Sequence, residues 1–162
     1  MKILVGLSGG VDSAVSAYLL KQAGHEVHAG FMINYLADSG TCPTQEDIEV
    51  AREVAAYLEI PFFTFDYREA YEARIIQHIY SGYERGITPN PDVLCNNLIK
   101  FDLFAEEARE FGYDKIAMGH YARIHEDALG FHLLKGVDSD KDQSYFLSRL
   151  SQEQLAYAVF PI

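Results

Sequence analysis

The run Gly6-Leu7-Ser8-Gly9-Gly10-Val11-Asp12-Ser13 constrains this chain more than any other stretch. Ahead of it lies Lys2-Ile3-Leu4-Val5, an apolar run that reads as a buried strand. Behind it, Ala14-Val15-Ser16-Ala17-Tyr18-Leu19-Leu20 carries apolar residues at helical spacing. The order is therefore strand, glycine turn, helix. Gly9 and Gly10 have no Cβ, so the backbone can turn sharply and lie close against a ligand. The free N–H groups of the helix's first turn then form an anion site, and Ser8 and Ser13 add hydroxyl donors for a phosphate. Asp12 suits such a site only if a Mg²⁺ lies between its carboxylate and the phosphates. The kinase and GTPase loop is excluded, because no lysine follows these glycines. The dinucleotide fingerprint is excluded by its missing third glycine and its spacing. A glycine turn that merely joins strand to helix is the simpler alternative; the strand-turn-helix context around adjacent Gly and Ser residues argues against it.

The rest of the chain repeats the alternation. Gly24 stops the first helix, Val27 to Ile33 reads as a second strand, and residues 34–43 are loop. Thr44 and Asp47 suggest a capped helix running to about Leu58, and Phe62 to Phe65 a third strand. Asp66 can cap a helix that ends near Gly86. Residues 87–92 carry two prolines and read as non-helical. A helix from about Cys95 to Phe111 stops at Gly112, Lys115 to Met118 forms a strand closed by Gly119-His120, and 122–124 with 132–134 pair as a hairpin. Residues 142–159 read as two helical pieces, the second capped by Ser151. Strands alternating with helices imply an α/β fold: a Rossmann-like parallel sheet with helices on both faces. Ligands bind such sheets at the carboxyl ends of the strands, where the loop 6–13, Met32, Asn34 and Gly119-His120 all fall.

The chain has 162 residues, enough for one domain with a real core, spanning 1–162. Two cysteines, Cys42 and Cys95, make no disulfide framework, and with no apolar run of membrane-spanning length and no leader layout the expected setting is cytoplasmic. The net charge of −11 argues, taken alone, against a nucleic-acid surface, which wants Lys and Arg.

A second chemical signal is Gly86-Ile87-Thr88-Pro89-Asn90-Pro91-Asp92-Val93-Leu94-Cys95-Asn96. Two prolines stiffen it, and Cys95 falls at the expected start of the next helix, where the macrodipole lowers a thiol pKa. Asp92 lies three residues ahead and can move a proton. The plainer alternatives are a buried small hydrophobe for Cys95, a helix cap for Asp92 and an incidental loop thiol for Cys42. A metal or iron–sulfur site would want more clustered ligands.

Ser8-Gly9-Gly10-Val11-Asp12-Ser13 resembles the pyrophosphate loop of the ATP pyrophosphatases, of the adenine nucleotide alpha hydrolase-like class. With Thr88 to Asn96, Ile99-Lys100-Phe101, Gly119-His120-Tyr121-Ala122-Arg123 and Asp140 to Leu147, the chain resembles the N-terminal catalytic domain of the bacterial tRNA-specific 2-thiouridylases. The resemblance implies that residues 6–13 (Gly6, Leu7, Ser8, Gly9, Gly10, Val11, Asp12, Ser13) bind the phosphates of ATP with Mg²⁺. It implies that Met32 and Gly119 contact the adenosine portion. Asn90, Pro91 and Asp92 would meet the target uridine, and Cys95 would act as nucleophile with Asp92 as acid–base partner. Lys141, Asp142 and Gln143 would touch tRNA; His120 and Arg123 lie in a matching stretch without an implied role. The implied activity is ATP-dependent 2-thiolation of the wobble uridine: adenylation at its C2 oxygen, then sulfur transfer through a cysteine, fed by a persulfide donor protein. The chain ends before the family's second cysteine and its β-rich domains, so a fragment or minimal form is expected, one that binds ATP without completing thiolation alone. The competing expectations are an ATP-binding domain without thiolation activity and another ATP pyrophosphatase acting on a small molecule.

Overall fold

The computed structural model describes residues 1–35 and 43–162. Cys42 and the side chain of Thr44, the expected cap of the second helix, lie outside the described residues. Strand β1 (Lys2–Gly6) leads into α1 (Val11–Gln22), β2 (Glu26–Ile33), α2 (Pro43–Tyr57) and β3 (Phe62–Asp66). A long helical stretch follows: α3 (Arg68–Tyr71), a π-helical segment Glu72–Ile76, and α4 (Gln77–Glu84). A second such stretch joins α5 (Pro91–Cys95), a π-helical segment Asn96–Leu103 and α6 (Phe104–Glu110). Then come β4 (Lys115–Ala117), the hairpin β5 (Ala122–Asp127) and β6 (Gly130–Lys135), a 3₁₀ turn Ser144–Leu147, α7 (Gln152–Tyr157) and β7 (Ala158–Val159).

The main sheet has the order β3-β2-β1-β4-β7 and is parallel throughout. Alternate residues of β1 serve its two faces. Ile3 and Val5 pack with Ala17, Leu20 and Leu58 from the α1–α2 side, whereas Leu4 packs with Ile99, Phe104, Ala105 and Ala108 from the π segment and α6. Both faces are thus covered, as the near-continuous apolar strands require. The hairpin forms its own two-stranded antiparallel sheet. No helix among the described residues is long and apolar enough to cross a membrane.

Chain order in the sheet reverses direction between β1 and β4. From β1 the chain works outward through β2 and β3, and then returns to the far side of β1 to lay down β4 and β7. At such a switch point the loops leaving the two central strands splay apart and open a crevice.

Three local expectations need correction. The helix holding Cys95 begins earlier than expected: Pro91 and Asp92 form its first turn. Asn90 is the N-cap, its Oδ1 accepting from the N–H groups of Asp92 and Val93 at 3.1 and 3.2 Å. Proline is compatible with that first position, because its missing N–H would be unpaired there anyway. Asp66 sits one residue too early to cap; its Oδ1 accepts from Arg68 N at 3.2 Å, and Tyr67 is the N-cap of α3. The expected second helix of 142–159 stops at Tyr157, and Ala158–Val159 becomes the edge strand of the sheet. The Ser151 cap stands as expected, with a full capping box to Gln154.

Candidate active site

Two cavities open at the carboxyl ends of β1, β2 and β4, and they share a wall. The first, about 290 Å³, is lined by Gly6, Leu7, Ser8, Gly10, Asp12 and Ser13 of the glycine loop, by Phe31, Met32 and Asn34 after β2, by Met118, Gly119 and His120 after β4, and by Lys100 and Gln143. The second, about 250 Å³, is lined by Asp92, Cys95 and Asn96 with Tyr71 and Phe146. Lys100, His120 and Gln143 line both. The expected nucleotide residues and the expected chemical pair therefore occupy adjoining chambers.

The glycine loop is held in shape by its own hydroxyls. Ser13 Oγ donates to Gly10 O at 2.9 Å and accepts from Ser8 N at 3.1 Å, and the two serine hydroxyls lie 3.2 Å apart. Gly9 has φ +84, the left-handed region that side chains avoid, and a Cβ there would stand 3.1 Å from Asp47 O. Gly9 thus faces α2 rather than the cavity, and Val11 is 73% exposed. Both serve the turn from outside it. Gly10 caps α1 through its backbone alone, leaving the first-turn N–H groups free for an anion.

A nucleotide fits the first chamber on two counts. Met32, Met118 and Phe31 give it an apolar wall beside the phosphate loop. Asn34 Oδ1 is buried there without a partner, an acceptor left for a donor such as an adenine amino group. A Mg²⁺ fits only as the nucleotide's companion. Among the described residues no three His, Cys, Asp or Glu groups gather to hold a metal, so Asp12 would supply one carboxylate while phosphate oxygens and water supply the rest. Gly119 packs directly on the loop: a Cβ there would lie 2.8 Å from Asp12 C and 2.9 Å from Ser13 N. Its place beside the nucleotide chamber follows from this close backbone approach.

In the second chamber Asp92 and Cys95 stand one helical turn apart. The activation expected for Cys95 is corrected. It is the fifth residue of a helix that continues unbroken into the π segment, it is 9% exposed, and burial pushes its thiol up from the ordinary value. Asp92 adds to that rise and the Lys100 ammonium opposes it. Asn90 is spent as the cap of α5, Pro91 as its first residue, and both are exposed beside the chamber's Asp92. Lys141 lies over the Tyr121 ring at 5.0 Å, and Asp142 accepts from Ser144 N and Oγ at 3.0 Å each, just ahead of the 3₁₀ turn whose N-cap is Gln143. Gln143 is turned inward, its Oε1 accepting from Tyr121 N at 3.1 Å.

Three residues in the quoted motifs, His120, Asn96 and Lys100, carry no role there. His120 packs between the rings of Phe101 and Phe160 at 6.0 and 5.8 Å, and its Nδ1 is buried without a partner. Burial, helped by Lys100, lowers its pKa to about 3, so the imidazole is neutral at physiological pH. Asn96 ties the helix to the 3₁₀ turn through Nδ2 and Phe146 O at 3.2 Å, leaving Oδ1 buried and unpartnered. Lys100 is flanked by Ile99 and Phe101, 0% and 1% exposed; a lone charge between core positions is the sequence signal that marks it.

A parallel sheet with a glycine–serine phosphate loop at its switch point defines a Rossmann-like α/β domain of the pyrophosphate-loop class. The chain belongs to the tRNA methyl transferase HUP domain family, whose model matches residues 1–162. Among curated proteins, a tRNA-specific 2-thiouridylase MnmA of Christiangramia forsetii is 52% identical over 169 residues, covering 99% of this chain and 43% of that protein. The enzyme of the same name from Ligilactobacillus salivarius is 47% identical and covers 100% of this chain and 44% of that one. The chain thus spans less than half the length of these relatives. Among solved structures, a predicted subunit of tRNA methyltransferase from Methanocaldococcus jannaschii superposes with a TM-score of 0.58 at 18% identity, covering 99% of this chain and 67% of that one. A U34-tRNA thiolase NcsA from Methanococcus maripaludis superposes with a TM-score of 0.53 at 22% identity, covering 74% of this chain and 38% of that one. These two likenesses concern the fold alone.

Proposed function

We propose that this chain carries the ATP-using part of a tRNA 2-thiouridylase of the cytoplasm. The observation that carries this reading is the shared wall of the two chambers, which sets a phosphate loop next to a cysteine–aspartate pair. ATP, with Mg²⁺ at Asp12, occupies the first chamber: Ser8, Ser13 and the α1 N–H groups hold its phosphates, and Met32 and Gly119 flank its adenosine. The wobble uridine of a tRNA enters the second chamber past Asn90 and Pro91, and the segment Lys141, Asp142, Gln143 steadies the RNA. The uridine C2 oxygen attacks the α-phosphorus of ATP and pyrophosphate leaves. The terminal sulfur of the donor protein's persulfide then attacks C2 and AMP leaves. The Cys95 thiolate takes the donor's inner sulfur into a disulfide, so that the other sulfur stays on C2 while Asp92 moves the protons. The names of the 52% and 47% identical relatives support this substrate and chemistry.

Burial of Cys95 suits a thiol that must react only once substrate is seated. The test is titration calorimetry of the protein with ATP and Mg²⁺, followed by mass spectrometry of nucleosides from tRNA incubated with ATP, Mg²⁺ and a persulfide donor. A single ATP site, weakened by Asp12→Ala, is expected. 2-Thiouridine that disappears in Cys95→Ser and Asp92→Asn supports the thiolation reading; ATP binding without tRNA modification reduces the reading to nucleotide binding.

A further inference from the structure

Lys100 is half-buried, lines both chambers, and makes no hydrogen bond or ion pair with any other described residue. Several other cations of the described chain are engaged, Lys21 with Leu58 O and Glu59, Lys115 with Ala156 O, Arg68 with Asp66, and Arg74 with Asp102 at 2.7 Å, and the side chains of Lys135 and Arg149, which make no such contact, are exposed to water. A half-buried ammonium in a cleft with no counter-charge in ion-pair reach gains most from an anion that arrives from outside. Lys100 forms part of the wall between the glycine loop and the Asp92–Cys95 chamber. Among the described residues Lys100 is also the one lysine or arginine lining either chamber, in a chain of net charge −11 whose overall field does not favour anions.

The helix is distorted where it delivers this side chain. In a regular α-helix, a residue five positions on lies about 140° around the axis, so Cys95 and Lys100 would face apart. The segment Asn96–Leu103 is π-helical, and its i→i+5 bonding returns the fifth residue close to the starting face. The wide turn thereby sets Asp92, Cys95 and Lys100 along one chamber.

We propose that Lys100 is a catalytic residue of this site, its ammonium holding the α-phosphate of the nucleotide at the mouth between the chambers and facing the Cys95 sulfur from the same place. The proposal rests on the reading that the first chamber binds ATP. Lys100 offsets the charge that gathers on the α-phosphate as an oxygen of the acceptor attacks phosphorus. The bond from that phosphorus to the bridging oxygen breaks, pyrophosphate leaves with the electron pair, and the acceptor's proton passes to the Asp92 carboxylate. Once the adenylate departs, the same ammonium favours the thiolate of Cys95. The titratable groups facing that sulfur are Asp92 and Lys100 from its own helix, Tyr71 from α3 and His120 from the β4–β5 connection; Gln143 and Phe146 on the remaining side carry no charge.

The test compares wild type, Lys100→Met, Lys100→Gln and Lys100→Arg, each checked for fold by circular dichroism. The first readout is calorimetric affinity for AMP and for adenosine. Loss of a charge-assisted contact to the phosphate predicts AMP binding weakened about ten- to hundredfold in Met and Gln, adenosine binding unchanged, and partial rescue in Arg. The second is the pH profile of Cys95 alkylation by iodoacetamide, which should move to higher pH in Met and Gln and return in Arg. If wild type binds both AMP and adenosine and the Met and Gln variants bind AMP equally well, the proposal is overturned while the nucleotide reading stands. If wild type binds neither ligand, the nucleotide reading itself fails.

Discussion

The hydroxyl of Tyr121 donates to Oδ1 of Asp12 at 2.9 Å, joining the start of the hairpin to the phosphate loop. The same Tyr121 receives Gln143 on its backbone, Gln143 Oε1 accepting from Tyr121 N and Gln143 N donating to Tyr121 O at 3.0 Å, while Lys141 covers its ring. One aromatic residue thus links the segment expected to meet RNA with the carboxylate expected to meet Mg²⁺.

Tyr121→Phe removes only the hydroxyl. A single exposed or half-buried hydrogen bond is worth about 1 kcal/mol, so global stability should change little. Asp12 loses its fixed orientation, and the Mg²⁺ concentration needed for half-maximal ATP binding should rise several-fold. Calorimetry of ATP binding across a Mg²⁺ series measures it; an unchanged Mg²⁺ dependence would mean that Tyr121 does not orient Asp12.

Gly119→Ala should strike the nucleotide site by pushing on backbone. The new Cβ would sit 2.8–3.0 Å from Asp12 C, Ser13 N and Asp12 O, none of which can rotate away. ATP affinity should fall at least about tenfold. Gly30→Ala offers the contrast: its Cβ would press on ring atoms of Phe104 and Phe65 at 2.7–2.9 Å, inside the core. That variant should lose about 1–3 kcal/mol of stability, as overpacked cores do. Thermal melting beside ATP titration separates the two effects.

His120 gives the protein an acid sensitivity with a definite sign. Burial holds its folded-state pKa at about 3, below the unfolded value of 6.5. Between those two values the unfolded chain binds a proton that the native site refuses, so stability falls as pH drops from 6.5 toward 3. This one group contributes a slope of up to about 1.4 kcal/mol per pH unit within that window. His120→Gln cannot be protonated there, so its urea midpoint should decline less than wild type between pH 6.5 and 4.5. Parallel declines in the two proteins would rule out a native imidazole held neutral.

Cys95 should react sluggishly. Its thiol lies within the helix and burial raises its pKa, so alkylation by iodoacetamide at pH 7 should be slower than for an unstructured peptide thiol, speeding up when urea opens the fold. A fast reaction in the folded state would contradict that burial.

The alternation of strands and helices, the glycine turn between the first strand and helix, the hairpin, and the Ser151 cap were all legible in the amino-acid sequence, because each is set by residues within a few positions of one another. The stops at Gly24 and Gly112 belong with them. Other features depended on distant partners. Ala158–Val159 reads as the end of a helix until β4 offers it the edge at Ile116 and Ala117. Cys95 reads as a thiol activated at a helix start; the Asn90 cap and Pro91, local residues, begin that helix a turn earlier, and the distant residues of the core close over it. Lys100 stands in the sequence as a lone charge between apolar neighbours, and only the π-helical turn swings it onto the face of Cys95. The sequence by itself determined which pieces form and that a glycine–serine turn joins the first strand to the first helix. Only the tertiary structure decided which side chains meet there, because burial, helix widening and sheet order follow from long-range packing that local spacing does not encode.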